Sequence, residues 1–168
     1  EATSLLLQHL PTPALAEPRT VKFKTGIRRK LWNKNCVAIG LSSGFIEPLE
    51  STSIHLIHSA IHKLLTFFPA GALSQVDIDK YNDVMRTDIE FIRDFILLHY
   101  KATSRTDSAF WNHCRTMDVP DGLRKKMELY IKSGRLYRDN NELFTEDSWF
   151  AVMEGQGVKV EDYHPLVD

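Results

Sequence analysis

Residues 75–101 read QVDIDKYNDVMRTDIEFIRDFILLHYK. Within them Tyr81, Val84, Met85, Ile89, Ile92, Phe95, Ile96 and His99 recur at spacings of three and four, which lines them up on one face of an α-helix. Ser74 stands just before the stretch and Asp77 three residues after it, a near relative of the capping box. The spacing predicts a single helix from about residue 75 to about residue 101, long for a globular protein. Its apolar face needs covering, and the sequence on either side supplies helices to do so. Upstream, Ile54, Ile57, Ile61, Leu64, Leu65 and Phe68 repeat at the same spacing until Pro69 and Gly71 stop them. Downstream, Phe110-Trp111 opens a short segment. Pro120 starts a helix carrying Leu123, Met127, Tyr130 and Ile131 that ends at Gly134. Thr145-Glu146-Asp147 reads as a cap with acidic first-turn residues ahead of Trp149, Val152 and Met153, and Gly155 closes that helix.

The first forty residues have a different texture. Leu5 to Leu10 is a short apolar run, the end of a helix stopped by Pro11, Pro13 and Pro18. Val21, Phe23 and Thr25 alternate with Lys22, Lys24 and Gly26, which predicts a hairpin or exposed strand pair over Val21–Arg29. The basic cluster Lys22, Lys24, Arg28, Arg29 and Lys30 is either a solvated strand edge or a site facing an anionic group. Cys36 to Gly40 is a short apolar strand candidate running into Leu41-Ser42-Ser43-Gly44-Phe45. Small residues and glycines after a strand allow close approach of backbone to a ligand. No phosphate-binding glycine loop of either standard type occurs. The expected fold is mainly α with a small β section. A β-rich segment over 1–45 needs strands from elsewhere, and a helical part over 46–168 could fold alone.

The chain has 168 residues, of which 43% are hydrophobic and 26% charged. That suits one domain, with or without an extension, and excludes global disorder. Lys plus Arg number 21 against 22 Asp plus Glu, for a net charge of -1, so no nucleic-acid partner is expected. No apolar run is long enough to span a membrane. The N-terminus lacks both an initiator Met and the pattern of a signal peptide, so the expectation is the inside of a longer, cytoplasmic protein. Two cysteines make no disulfide framework. Cys36, in its apolar strand, is expected to be buried and inert. Cys114 follows His113, but adjacent residues rarely orient as a thiol–base pair. His55, His58 and His62 share a helical face without acidic or cysteine partners, so no metal is expected there.

Chemistry concentrates in Gly44-Phe45-Ile46-Glu47-Pro48-Leu49-Glu50-Ser51-Thr52-Ser53-Ile54-His55-Leu56. Two carboxylates flank a proline, and three hydroxyl residues precede the apolar periodicity. Pro48 biases Glu47 toward extended backbone, and Ser51, Thr52 or Ser53 is the expected N-cap. Free amides at a helix start suit an anion. The plainer alternative is a capped helix whose start is favoured by Glu50.

This segment resembles the flavin-dependent halogenases of the tryptophan halogenase type. The resemblance lies in Trp32 to Phe45, then Glu47-Pro48-Leu49-Glu50-Ser51-Thr52, and continues through Arg93 to Tyr100, Phe110-Trp111, Glu142-Leu143-Phe144 and Gln156-Gly157. It extends over nearly the whole chain but corresponds to the C-terminal part of such an enzyme, one that completes a larger α/β flavin-binding fold of the FAD monooxygenase kind. The family's glycine-rich dinucleotide fingerprint, Trp-x-Trp-x-Ile-Pro motif and active-site lysine have no counterpart in these residues.

The resemblance implies reduced FAD, oxygen and chloride or bromide as reagents, hypohalous acid as the oxidant passed to the lysine, and an electron-rich, indole-like aromatic as acceptor. It implies a separate flavin reductase and the N-terminal part of the same protein as partners. Carried over by position, Glu50 looks like the glutamate beside the lysine and Ser51 like the serine that orders both. Thr52 and Ser53 look like the halide site; Ser53 stands where the tryptophan enzymes have glycine, which bears on halide size. Gly40, Leu41, Gly44, Phe45 and Pro48 resemble the wall against the flavin. Trp111, Trp149 and Phe150 are candidates for an aromatic substrate pocket, each equally explicable as core. The isolated chain is expected to be inactive. The competing functions are a flavoprotein monooxygenase and a non-catalytic helical interaction module.

Overall fold

The structure is a computed structural model, and it describes residues 2–139 and 142–163. Its spine is the helix foreseen from the periodicity, here α3 (Gln75–Lys101). Ahead of it come α1 (Ala2–Gln8), the strands β1 (Gly26–Ile27), β2 (Trp32–Asn33), β3 (Cys36–Val37) and β4 (Gly44–Phe45), and α2 (Thr52–Thr66). After it come α4 (Ala109–Thr116), α5 (Asp121–Ser133) and α6 (Glu146–Gly155).

The two ends of α3 serve different cores. Ile78, Tyr81, Met85 and Ile89 pack with Leu31, Trp32 and Ala60. Nearly two turns further on, Phe95 and Leu98 pack with Leu123, Tyr130, Trp149 and Met153. Phe95 stacks on Phe144 with ring centroids 3.8 Å apart and meets Trp149 edge-on at 5.1 Å, pairings worth about 0.5–1.5 kcal/mol each beyond burial. Beside them lies a buried ion pair. Lys126 Nζ is 2.6 Å from Glu142 Oε1, with side chains only 5% and 3% exposed, and the ammonium sits 4.3 Å from the Trp149 ring centre.

The extended structure is thinner than expected and is wired differently. Val21–Arg29 does not form a local hairpin. Gly26 and Ile27 pair antiparallel with Phe45 and Gly44, far along the chain, because Phe23 stacks edge-on against Phe45 and Ile27 joins the first core. The hairpin is instead β2–β3, a two-residue turn with Lys34 at φ 55°. It is latched to α3 by Asn82, whose Oδ1 accepts from the amides of Leu31 (2.8 Å) and Trp32 (2.9 Å) and whose Nδ2 donates to Trp32 O (2.8 Å). That pairing leaves Cys36 exposed, contrary to the expectation of burial. Its partner in the register, Asn33, is exposed too, so Cys36 falls on the outward side of the pair. Cys114 is the buried thiol, in α4.

Helix ends follow their chemistry where the side chain can reach. Ser108 Oγ accepts from the Trp111 amide at the start of α4, and Gly134 at φ 64° closes α5. No helix among the described residues is long and apolar enough to cross a membrane.

Candidate active site

The chain leaves β4, passes Ile46 and Glu47, and turns at Pro48 into a single 3-10 turn, Leu49–Ser51, that runs directly into α2. Glu50 (φ 60°, ψ 7°) and Ser51 (φ 53°, ψ 29°) are consecutive non-glycine residues in the left-handed region. Such conformations cost on the order of 1–3 kcal/mol each and persist where the surroundings enforce them. Ser51 does occupy the N-cap position, but its side chain caps nothing. A capping residue is normally extended, and the left-handed turn at Ser51 points the hydroxyl elsewhere.

The loop meets the last turn of α3. Tyr100 OH donates to Glu47 Oε2 at 2.5 Å. This bond to a carboxylate, with burial second, pushes the phenol up to about 12. Glu47 Oε1 is sealed from solvent with no partner among the described residues. The next carboxylate, Glu50, is 42% exposed, with Oε1 3.7 Å from His99 Nε2, beyond direct hydrogen bonding. His99 Nδ1 donates to Phe95 O at 2.9 Å, which turns Nε2 toward Glu50. Tyr100 stacks on Trp111 at 6.2 Å, and Arg105 covers the other ring at 4.5 Å.

At the start of α2, Thr52 and Ser53 line a cavity of about 60 Å³ together with Gly40, Leu41, Gly44, Phe45 and Ile57. Thr52 is buried. Six of the residues singled out from sequence therefore converge: Gly40, Leu41, Gly44, Phe45, Thr52 and Ser53. Pro48, Glu50 and Ser51 lie on the adjoining loop and do not line this cavity. Gly44 has its own reason to be glycine. A Cβ there would stand 2.5 Å from Gly26 O and 2.9 Å from Ile27 Cα, so the close backbone approach at this position is to β1. Gly40 sits at φ 67°, where a side chain would also meet Ile57 at 3.3 Å.

The three aromatic pocket candidates are not brought together. Trp149 belongs to the second core and is 2% exposed. Phe150, next to it on α6, is exposed because neighbouring helical positions face different directions. Only Trp111 adjoins the loop, through Tyr100. No group of three or more His, Cys, Asp or Glu placed to hold a metal occurs among the described residues. The contacts missed from sequence are Glu47–Tyr100 and Glu50–His99. Their signal was two carboxylates three apart and two consecutive polar aromatics at a helix end, about fifty residues away.

The tryptophan halogenase family model matches residues 1–168. The chain belongs to the tryptophan halogenase family. Among the relatives of this chain, the 7-chloro-L-tryptophan 6-halogenase KtzR of Kutzneria sp. (strain 744) is 40% identical over 120 residues, 71% of this chain and 23% of that protein. The tryptophan 7-halogenase RebH of Lentzea aerocolonigenes is 37% identical over 153 residues, 82% of this chain and 29% of that protein. Among solved structures, the flavin-dependent halogenase Xcc4156 from Xanthomonas campestris superposes with a TM-score of 0.89 at 47% identity, over 98% of this chain and 33% of that one. BrvH, a flavin-dependent halogenase from Brevundimonas sp. BAL3, gives 0.90 at 45% identity with the same coverage. The chain thus spans about a quarter to a third of the length of these relatives. Its helical, strand-poor fold is that of the corresponding part of the solved halogenases.

Proposed function

We propose that the full-length protein is a reduced-flavin-dependent halogenase that places chlorine or bromine on an electron-rich, indole-like aromatic. One observation carries the reading. An exposed carboxylate, Glu50, is held in a left-handed turn directly ahead of a helix start that lines a small cavity with three glycines, Gly26, Gly40 and Gly44. A carboxylate so placed stabilises the cation formed when an aromatic ring accepts a formally positive halogen, and Glu50 Oε can take up the ring proton that then leaves. Ser51, the next residue, would order that carboxylate. The start of α2, which carries no side-chain cap, together with the Thr52 and Ser53 hydroxyls would suit a halide ion.

The cavity of about 60 Å³ has room for an ion and water but not for a flavin ring. FAD would lie outside it, against Leu41 and Pro48, both exposed, with Gly40, Gly44 and Phe45 behind them. When bound, reduced FAD supplies the oxidation of halide by oxygen.

The outer face of α2 favours a larger protein around this part. Ile54, Ile61 and Leu65 are bare along it and Phe68 is bare just past its end, Ile54 at 74% and Phe68 at 66% exposure, a pattern expected of a surface covered by further chain. Residues 1–45 would complete the flavin-binding module and 46–168 would build the substrate side. The protein would work in the cytoplasm with a separate flavin reductase. The test is full-length protein with reduced FAD, oxygen, chloride or bromide, and a panel of indoles and phenols. Halide-dependent halogenated product is expected from the full protein and none from the 168-residue chain alone. Oxygenated product without halide dependence would select a flavoprotein monooxygenase, and absence of flavin binding a non-catalytic helical module.

A further inference from the structure

Glu47 and Glu50 leave one short loop and reach one turn of α3. Tyr100 OH holds Glu47 Oε2 at 2.5 Å, while Glu50 stands opposite the neighbouring residue, His99. Between the two carboxylates Pro48 restricts the chain to φ -74°, so a shift at Glu47 is passed on rather than absorbed. Glu50 and Ser51 then adopt left-handed conformations that no capping bond from Ser51 compensates. Two such residues in succession need an anchor on each side. On the far side it is Thr52, buried at the start of α2. On the near side it is Glu47, for which Tyr100 is the one donor among the described residues. Tyr100 is itself fixed by its stack on Trp111.

We propose that Tyr100 is a positioning residue for Glu50. By holding Glu47, its hydroxyl fixes the left-handed turn that presents the Glu50 carboxylate to the reacting ring. The inference rests on the reading of Glu50 as the carboxylate of halogenation. Without the hydroxyl, neither Glu47 oxygen has a donor among the described residues, and Oε1 is sealed from solvent. The carboxylate then swings to water or takes up a proton, Pro48 follows, and Glu50 relaxes out of the left-handed region.

The test compares Tyr100→Phe and Glu47→Gln in the full-length protein. Tyr100→Phe is expected to lower kcat for halogenated product by about 10- to 100-fold, with KM and flavin oxidation within about 2-fold of wild type, as for a displaced catalytic group. Glu47→Gln keeps an acceptor for Tyr100 and is expected to retain product formation within about 3-fold. Amide exchange over residues 49–52 should quicken in the first variant and not in the second. Wild-type product formation by Tyr100→Phe, or equal losses in both variants, would overturn the proposal. Should Tyr100→Phe fail to fold, Glu47→Gln against Glu47→Ala makes the same comparison: Gln retained and Ala lost supports it, and equal rates overturn it. If the wild type makes no halogenated product, the catalytic reading has failed. The exchange data then decide the positioning claim, and unchanged protection in Tyr100→Phe refutes it.

Discussion

Replacing Gly44 by alanine puts the strand wiring to a direct test. The added Cβ would lie 2.5 Å from Gly26 O and 2.9 Å from Ile27 Cα, whereas carbon and carbonyl oxygen ordinarily approach to no less than about 3.3 Å. Both obstructing atoms are backbone, so no side chain can rotate away. The strands must part by several tenths of an ångström at least. Parting them strains the β1–β4 register, Gly26 opposite Phe45 and Ile27 opposite Gly44, and the flanking bond from Arg28 N to Ser43 O at 2.9 Å. Overpacking of this kind costs about 1–3 kcal/mol, and one weakened backbone hydrogen bond adds about 0.5–1.5 kcal/mol. The sum is about 2–4 kcal/mol, or a fall in Tm of about 4–16 °C for a domain of this size. Thermal unfolding of the Gly44→Ala chain measures the global effect, and amide exchange at Ile27 and Arg28 the local one. A wild-type melting curve with unchanged protection at both amides would refute the pairing and return Gly44 to a purely ligand-facing role.

Other consequences are equally open to measurement. Thiol labelling of the native chain should modify Cys36 rapidly and Cys114 only on unfolding, since the first is exposed and the second buried; two fast thiols would contradict the fold of α4. Lys126→Met should destabilise the chain by about 3–5 kcal/mol by leaving Glu142 charged and buried, and adding Glu142→Leu should recover much of the loss. Equal destabilisation by the single and double variants in urea would show that the pair's charges are not what matters. An alkaline titration followed at 295 nm should assign Tyr100 a transition near 12. The unfolded phenol ionises near 10 and the folded one later, so this group's contribution is complete below pH 10 and is lost as pH rises toward 12. A Tyr100→Phe difference spectrum centred on pH 10 would refute the Glu47 hydrogen bond.

The helices were legible because their signals are local. The apolar repeat from Tyr81 to His99 and the stops at Gly134 and Gly155 place α3, α5 and α6 nearly to the residue. The strands were not, because β1 and β4 are two residues each and owe their pairing to a partner far along the chain. Alternation around Phe23 suggested a hairpin that the distant contact with Phe45 supersedes. The Glu47–Ser53 loop announced itself by composition, yet its left-handed turn could not be read from Glu50-Ser51. Neither residue type favours that region, and the clamp that enforces it comes from Tyr100. Likewise Trp149 and Phe150 carry the same aromatic signal in sequence, and only the packing of α6 sends one into the core and the other to the surface.

Glu50→Gln in the full-length protein, with halogenated product and reduced-flavin oxidation followed in one reaction, bears most directly on the central claim. Glutamine keeps the size and much of the hydrogen bonding while removing the charge. If that charge stabilises the aromatic cation, product turnover should fall by about 30- to 1000-fold, equivalent to about 2–4 kcal/mol, while flavin oxidation and Tm stay near wild type. If Glu50 merely favours the start of α2 through the helix dipole, its loss costs about 0.3–1 kcal/mol of stability. Wild-type product turnover with a slightly lowered Tm would contradict the account and leave Glu50 a structural residue.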